Sequence, residues 1–150
     1  MIKPDYASLL SKAIIIATKA HGGAIDKGGN PYILHPIAVA HRVENLEEKI
    51  VALLHDTIED TDVTEEYLRE LGFPELIISG VISVTRMKDE TYMEFCIRSS
   101  LHPIGKKVKI ADLLENMDKR RLKNPTKEDI EHFESRCVRY QKALDMLLAS

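Results

Sequence analysis

The stretch Ala52-Leu53-Leu54-His55-Asp56-Thr57-Ile58-Glu59-Asp60 constrains this chain more than any other. An apolar run passes without a break into an imidazole and three carboxylates, and no Lys or Arg stands among them. An isolated ionised carboxylate in apolar surroundings is costly even after relaxation, so it needs a partner. Read as one helix from Glu47 to about Ile58, the stretch sets His55 and Glu59 on one face, with Asp56 and Asp60 one residue round. Asp112 poses the same demand independently, flanked by Val108, Ile110, Ala111, Leu113 and Leu114. Two explanations of Asp112 stand open. It forms a buried salt bridge to Lys109 or an arginine, or it shares a divalent cation with Asp56, with His55 and His35 as neutral nitrogen donors. Two imidazoles and two carboxylates suit Mn²⁺, Fe²⁺ or Zn²⁺ better than Ca²⁺, which takes oxygen ligands.

The segments around these residues read as helices. Pro4-Asp5 starts one that runs to about Lys19, with Leu9, Ala13, Ile16 and Ala17 at helical spacing. The glycines and prolines between His21 and Pro36 make a loop, with a short extended turn expected at Tyr32 and Ile33. Pro36 fits the first turn of a second helix to about Asn45, leaving His35 at its mouth. Shorter helices are expected after Thr64, from Glu75 to Val84, from Thr91 to Ser99 and after His102-Pro103. Thr126 caps a long final helix, in which Ile130, Phe133, Cys137, Tyr140, Leu144 and Leu147 form an amphipathic stripe. No segment alternates with period two for long. The expected fold is all-α, a single helical domain over residues 1–150 with roughly seven to nine helices.

A chain of 150 residues can bury about 70% of its unfolded surface. The net charge of −3 argues against wholesale nucleic-acid binding through a basic surface. Cys96 and Cys137 have no metal-ligand spacing and fall among apolar helix positions, so both are expected as buried free thiols in a reducing compartment. No apolar run approaches the ~20 residues of a membrane span, and Met1-Ile2-Lys3-Pro4-Asp5 does not read as a signal peptide. A cytoplasmic protein is expected, as a monomer or homodimer.

Taken together, His35-Pro36, His55-Asp56 with Glu59-Asp60, Lys109-Ile110-Ala111-Asp112 and Asn116-Met117 resemble the HD-domain phosphohydrolases. Ala20-His21 and Gly29-Asn30-Pro31-Tyr32-Ile33-Leu34-His35-Pro36 narrow the resemblance to the hydrolase domain of RelA/SpoT-type enzymes and the small alarmone hydrolases. It spans roughly residues 5 to 145 and leaves no segment for a synthetase domain, so it implies a hydrolase only. It implies one Mn²⁺ per chain, on residues that match His35, His55, Asp56 and Asp112. It assigns water activation and proton transfer to Glu59 and Asp60, whose other reading is a solvated helix end. The implied reaction removes the 3′-pyrophosphate of guanosine tetra- or pentaphosphate to leave GDP or GTP.

The resemblance also implies substrate contacts by Lys27, Asn116, Arg136 and Tyr140. Asn116 also reads as a solvent-facing asparagine or a helix-end polar residue, Tyr140 as part of the apolar stripe, and Arg136 as a neutraliser of a buried carboxylate. His21 has a buried supporting role, while His41, His102 and His132 read as surface or helix-capping residues. The chain departs from the family at Asp26, where members commonly carry an arginine before the lysine. An acidic residue there removes a bidentate phosphate clamp and adds repulsion. Two further functions therefore stay open: hydrolysis of another nucleotide phosphate, and binding of metal and nucleotide without turnover.

Overall fold

A computed structural model describes residues 3–150 of the chain, and residues 1 and 2, which open the stretch read for a signal peptide, lie outside it. Among the described residues there are nine α-helices and one 3-10 turn: α1 (Tyr6–His21), α2 (Leu34–His41), α3 (Leu46–Leu54), α4 (Thr57–Asp60), α5 (Glu65–Glu70), α6 (Glu75–Ser83), α7 (Tyr92–Ser100), α8 (Pro103–Asn116), the 3-10 turn Lys119–Arg121, and α9 (Lys127–Ala149). The all-α expectation holds. The turn expected at Tyr32 and Ile33 is present, and the only extended pairing among the described residues is an isolated bridge between Ile25 and Pro31, just before it.

Helix α3 sits at the centre, packed by α1, α2, α6 and α8. Ile50, Val51, Ala52, Leu53 and Leu54 are all buried, which is why the second half of this helix is apolar on every side rather than along one stripe. Truncating a residue such as Leu54 to Ala is expected to cost about 2–5 kcal/mol, because its neighbours refill the void only in part. Glu48, at the start of α3, is buried yet satisfied. It closes a capping box with Asn45 and meets Lys107 Nζ at 3.2 Å.

A second apolar cluster joins α7, α8 and α9 through Cys96, Leu113, Ala143, Leu144 and Leu147. Helix α8 belongs to both clusters and so fixes α9 relative to α3. The stripe on α9 is buried at Phe133, Leu144 and Leu147, half-buried at Cys137 and Tyr140, and exposed at Ile130. The apolar stripe thus overstates burial near the start of α9, and Cys137 is not the buried thiol expected of it, although both cysteines are free. Local caps fall where the sequence puts them. Thr64, Thr91 and Thr126 cap α5, α7 and α9, and His102 caps α8 by accepting from the amides of Ile104 and Gly105. Gly72 closes α5 at φ +93°, a left-handed conformation that favours glycine.

The expected helix from Glu47 to Ile58 is broken at His55 and Asp56. Three groups converge on the carbonyls that a continuous helix would use. His55 Nδ1 lies 2.6 Å from Ala52 O, Thr57 Oγ1 donates to Leu54 O at 2.8 Å, and the His55 amide reaches back only to Ala52 O. These bonds compete with the i to i−4 pattern and turn the chain. Asp56 consequently sits outside helical geometry at φ −104° and ψ 0°, before α4 resumes. The two-face reading of residues 55–60 is therefore replaced by a turn that points His55 and Asp56 inward, with Glu59 and Asp60 on a separate short helix.

Candidate metal centre

Two helices and the turn after α3 deliver the charged groups to one place. His35 lies in the first turn of α2, one residue inside the mouth expected for it, while His55 and Asp56 form the turn after α3 and Asp112 lies in α8. One donor atom from each of His35, His55 and Asp56 lies within 4.8 Å of the others. Asp112 Oδ1 is 3.0 Å from His35 Nε2 and 3.4 Å from His55 Nε2, and Asp56 Oδ2 is 3.2 Å from His55 Nε2. The two imidazole rings meet edge to face at 5.3 Å between centroids.

The state of His55 follows from its partner. The Ala52 carbonyl can only accept, so His55 Nδ1 must carry the hydrogen. In the neutral ring Nε2 is then a bare lone pair. It is buried, has no hydrogen-bond partner, and stands between the oxygens of Asp56 and Asp112. A lone pair facing two carboxylates is unfavourable unless a cation lies between them, and a backbone carbonyl on the far nitrogen is the usual support of a metal-ligating histidine. The donor set therefore fits a divalent metal.

The protonation of the carboxylates is split. Burial, reinforced by the charges of Asp112 and Asp60, pushes the Asp56 carboxyl well above the ordinary carboxylate range, although Lys109 opposes this. Burial also works to raise Asp112, but the Lys109 ammonium, helped by the His35 hydrogen bond, outweighs it and holds Asp112 well below that range. Lys109 Nζ is 3.1 Å from Asp112 Oδ2 and only 4.5 Å from the Phe95 ring centroid, so the salt bridge read for Asp112 is present in the geometry. Burial pushes the His35 imidazole below its usual value, with Asp112 pulling the other way, which favours the neutral, ligating ring. Tyr32 donates its hydroxyl to Asp56 and stacks at 4.7 Å on His21, whose buried Nε2 has no partner.

These groups line the floor of a cavity of about 360 Å³. Glu59 and Asp60 also line it, and both are exposed. They differ in their surroundings. Glu59 Oε1 accepts from the Arg86 amide at 2.9 Å, whereas partial burial raises the Asp60 carboxyl above its ordinary value. The walls carry Lys27, Arg86, Lys109, Arg121 and Arg139, five cations around the carboxylate floor.

No family model matches the chain. Curated relatives do. Over 126 residues, 76% of this chain, it is 34% identical to the guanosine-3′,5′-bis(diphosphate) 3′-pyrophosphohydrolase of Aquifex aeolicus. It is 33% identical over 133 residues to a probable GTP pyrophosphokinase of Mycobacterium leprae. A solved structure described as a metazoan ortholog of SpoT that hydrolyses ppGpp superposes with a TM-score of 0.66 over 99% of this chain and 97% of that one, at 21% identity. The chain is an HD-domain relative of the RelA/SpoT proteins. It spans only 18% and 17% of the lengths of the two curated relatives.

The substrate contacts expected of this HD-domain chain divide between two cavities. Lys27, Asn116 and Tyr140 line both the metal cavity and an adjoining one of about 340 Å³, whereas Arg136 lines only the second. Asn116 is half-buried, donating to Asp112 Oδ1 at 3.2 Å and accepting from Arg121 at 2.6 Å, so it is not solvent-facing, but it does stand as the polar last residue of α8. Tyr140 packs with Tyr92 in the α7–α9 cluster at 6.2 Å, as its apolar-stripe reading expects, and it also lines the cavities. Asp26 does not act as expected. Its side chain is 8% exposed and ion-pairs with Arg121 at 3.2 Å, and its other oxygen takes the amides of Gly28 and Asn30. His102 caps a helix as expected, and His41 and His132 lie on the surface.

Arg86, Arg121 and Arg139 are the residues that sequence reasoning missed. Nothing in a polar stretch or a helix face singles them out. The aromatic signal was present in Tyr92, whose ring has Arg139 at 4.5 Å and Arg86 at 5.9 Å. A larger groove of about 1000 Å³ is lined by Leu10 and Ile14 of α1, by Leu34, His35 and Ile37 of α2, and by Asp26, Glu115 and Arg121, so it reaches the Asp26–Arg121 pair from the other side.

Proposed function

We propose that this chain hydrolyses the 3′-pyrophosphate of guanosine tetra- or pentaphosphate to leave GDP or GTP and pyrophosphate, using one divalent cation, Mn²⁺ in the first instance. The bare, buried His55 Nε2 between Asp56 and Asp112, at the floor of a cation-walled cavity, carries the reading. The name of the Aquifex aeolicus relative supplies the reaction. His35, His55, Asp56 and Asp112 would hold the cation. Bound there, it supplies Lewis acidity towards a phosphoryl oxygen and lowers the pKa of water.

The chain's own residues do the rest. Asp60, with a carboxyl raised by partial burial, is the better-matched acceptor of the water proton near neutral pH. Glu59 anchors the Arg86 amide and so shapes the rim of the cavity. Lys27, Arg86 and Arg139 offset the negative charge of the substrate against the carboxylate floor. Tyr32 fixes the rotamer of Asp56 through its hydroxyl. Residues 3–150 act as one catalytic unit, because α8 is shared by both apolar clusters and also carries Asp112. No described helix is long and apolar enough to cross a membrane. We place the protein in the cytoplasm, as a monomer or homodimer, where free Cys96 and Cys137 persist.

The reason to look for a different nucleotide was repulsion by Asp26, and that carboxylate is already engaged by Arg121 and two amides. A binding module without turnover has no use for a basic carboxylate at position 60. Incubation of the purified chain with a panel of nucleotides, in Mn²⁺ and then in EDTA, tests the proposal. Pyrophosphate release from guanosine tetraphosphate that EDTA abolishes supports it. Release of phosphate only from other nucleotides, or tight binding without turnover, refutes it.

A further inference from the structure

We infer that Arg121 is the guanidinium with which this site grips a phosphate group of its substrate, and that Asp26 is the positioning residue that holds it in place. This rests on the phosphohydrolase reading above. Arg121 closes the 3-10 turn between α8 and α9 and reaches Asp26 across 95 positions of sequence. It lines the metal cavity and the adjoining cavity alike, so it stands where the two meet. Its side chain is 23% exposed, against 8% for Asp26.

The donors make the case. A guanidinium offers five N–H groups in a rigid fork. Arg121 gives one from Nη1 to Asn116 Oδ1 at 2.6 Å and one from Nη2 to Asp26 Oδ2 at 3.2 Å. The rest remain for a ligand in the cavity. Asp26 has no such freedom, because its second oxygen accepts from the Gly28 amide at 2.9 Å and the Asn30 amide at 3.0 Å. It therefore acts on a ligand only through Arg121.

The backbone is clamped as well. Asn30 Nδ2 donates to the Arg121 carbonyl at 2.6 Å, and the Lys123 amide donates to Gly28 O at 2.9 Å. The two segments approach so closely that a Cβ at Gly28 would lie 2.1 Å from the Arg121 carbonyl oxygen, which excludes any larger residue there. Exposed Lys27 follows Asp26 directly and lines the same two cavities. A fork fixed on two sides, with spare donors and a flexible lysine beside it, is suited to bidentate recognition of a phosphate at little cost in side-chain ordering.

The test compares the full-length wild type with Arg121→Gln, Asp26→Asn and the double variant Asp26→Asn/Arg121→Gln. Arg121→Gln strands the Asp26 charge. The double variant removes both charges, and its melting curve shows whether it is folded. For guanosine tetraphosphate, KM should rise at least tenfold in the double variant with kcat changed less than threefold and metal content unchanged. Asp26→Asn alone should give a smaller rise in KM, and Arg121→Lys should recover part of the loss. An unchanged KM in the folded double variant, or parallel losses of kcat and metal, overturns the inference. Calorimetric titration of the metal-loaded protein with inorganic pyrophosphate gives an answer that does not depend on turnover. The wild type should bind it at least tenfold more tightly than the double variant. Equal affinities, or no binding by the wild type, overturn the inference. A wild type that binds pyrophosphate through Arg121 but hydrolyses no guanosine tetraphosphate would instead refute the function proposed above.

Discussion

Lys109→Met removes an ammonium buried against Asp112. Lys109 is 5% exposed, its Nζ is 3.1 Å from Asp112 Oδ2, and Asp112 is 7% exposed. The methionine keeps most of the apolar stem beside Phe95 and Tyr92, so the loss is chiefly electrostatic. Removing one member of a buried ion pair leaves an uncompensated charge and costs about 3–5 kcal/mol. For a chain of this size that lowers Tm by roughly 6–20 °C. The assay is thermal and urea unfolding of metal-free protein, followed by the same measurement in Mn²⁺. Two further results are expected. Lys109→Met/Asp112→Asn should recover most of the loss, because no buried charge remains. Mn²⁺ should raise the Tm of Lys109→Met more than that of the wild type, because the cation takes over the neutralisation of Asp112. A metal-free Lys109→Met within about 1 kcal/mol of wild type, or a double variant no more stable than the single, would refute the reasoning.

The two acidic residues of α4 should separate in kinetics. Asp60→Asn is expected to lower kcat by about 10²–10⁴-fold with metal content unchanged, whereas Glu59→Gln, which keeps an acceptor for the Arg86 amide, should cost less. Equal losses in the two would assign the proton transfer wrongly. In the wild type the rate should climb with pH through a range above the usual carboxylate value, since burial raises Asp60 and its deprotonated form is the working one. Acid stability gives another check. Asp118 is held at about 2 by hydrogen bonds from Arg120, with burial opposing. Its folded value lies below the unfolded one, so its contribution is complete above about pH 4 and is lost as pH falls through about 2. At this shallow site the contribution is about 1 kcal/mol or less, and Asp118→Asn should shrink the acid-induced loss of stability by that amount.

Much of the fold was legible in residues that act locally. The caps at Thr64, Thr91 and Thr126, and the buried face of α1 at Leu9, Ala13, Ile16 and Ala17, depend on neighbours within a turn or two and appear where the sequence puts them. The meeting of His35, His55, Asp56 and Asp112 was legible because buried charge in apolar helices has few solutions. The break at His55 was not, since the residues of 52–60 suit a helix and the turn is made by side chains capturing the carbonyls of Ala52 and Leu54. Asp26 was misread for a related reason. Its acidity was visible, but its partner comes from 95 positions away, and only the packed chain shows that the charge is paired. Arg86 and Arg139 are exposed residues with surface-like sequence neighbours, and they gain meaning only from converging on Tyr92.

The central claim is that four side chains, from α2, α8 and the turn after α3, hold one catalytic cation. Crystals of the protein soaked in Mn²⁺, with diffraction recorded at the manganese absorption edge, address it directly. One anomalous peak per chain is predicted, in contact with His35, His55, Asp56 and Asp112 and absent from crystals of Asp112→Ala. A peak coordinated elsewhere, or none at a concentration that supports turnover, would contradict the account.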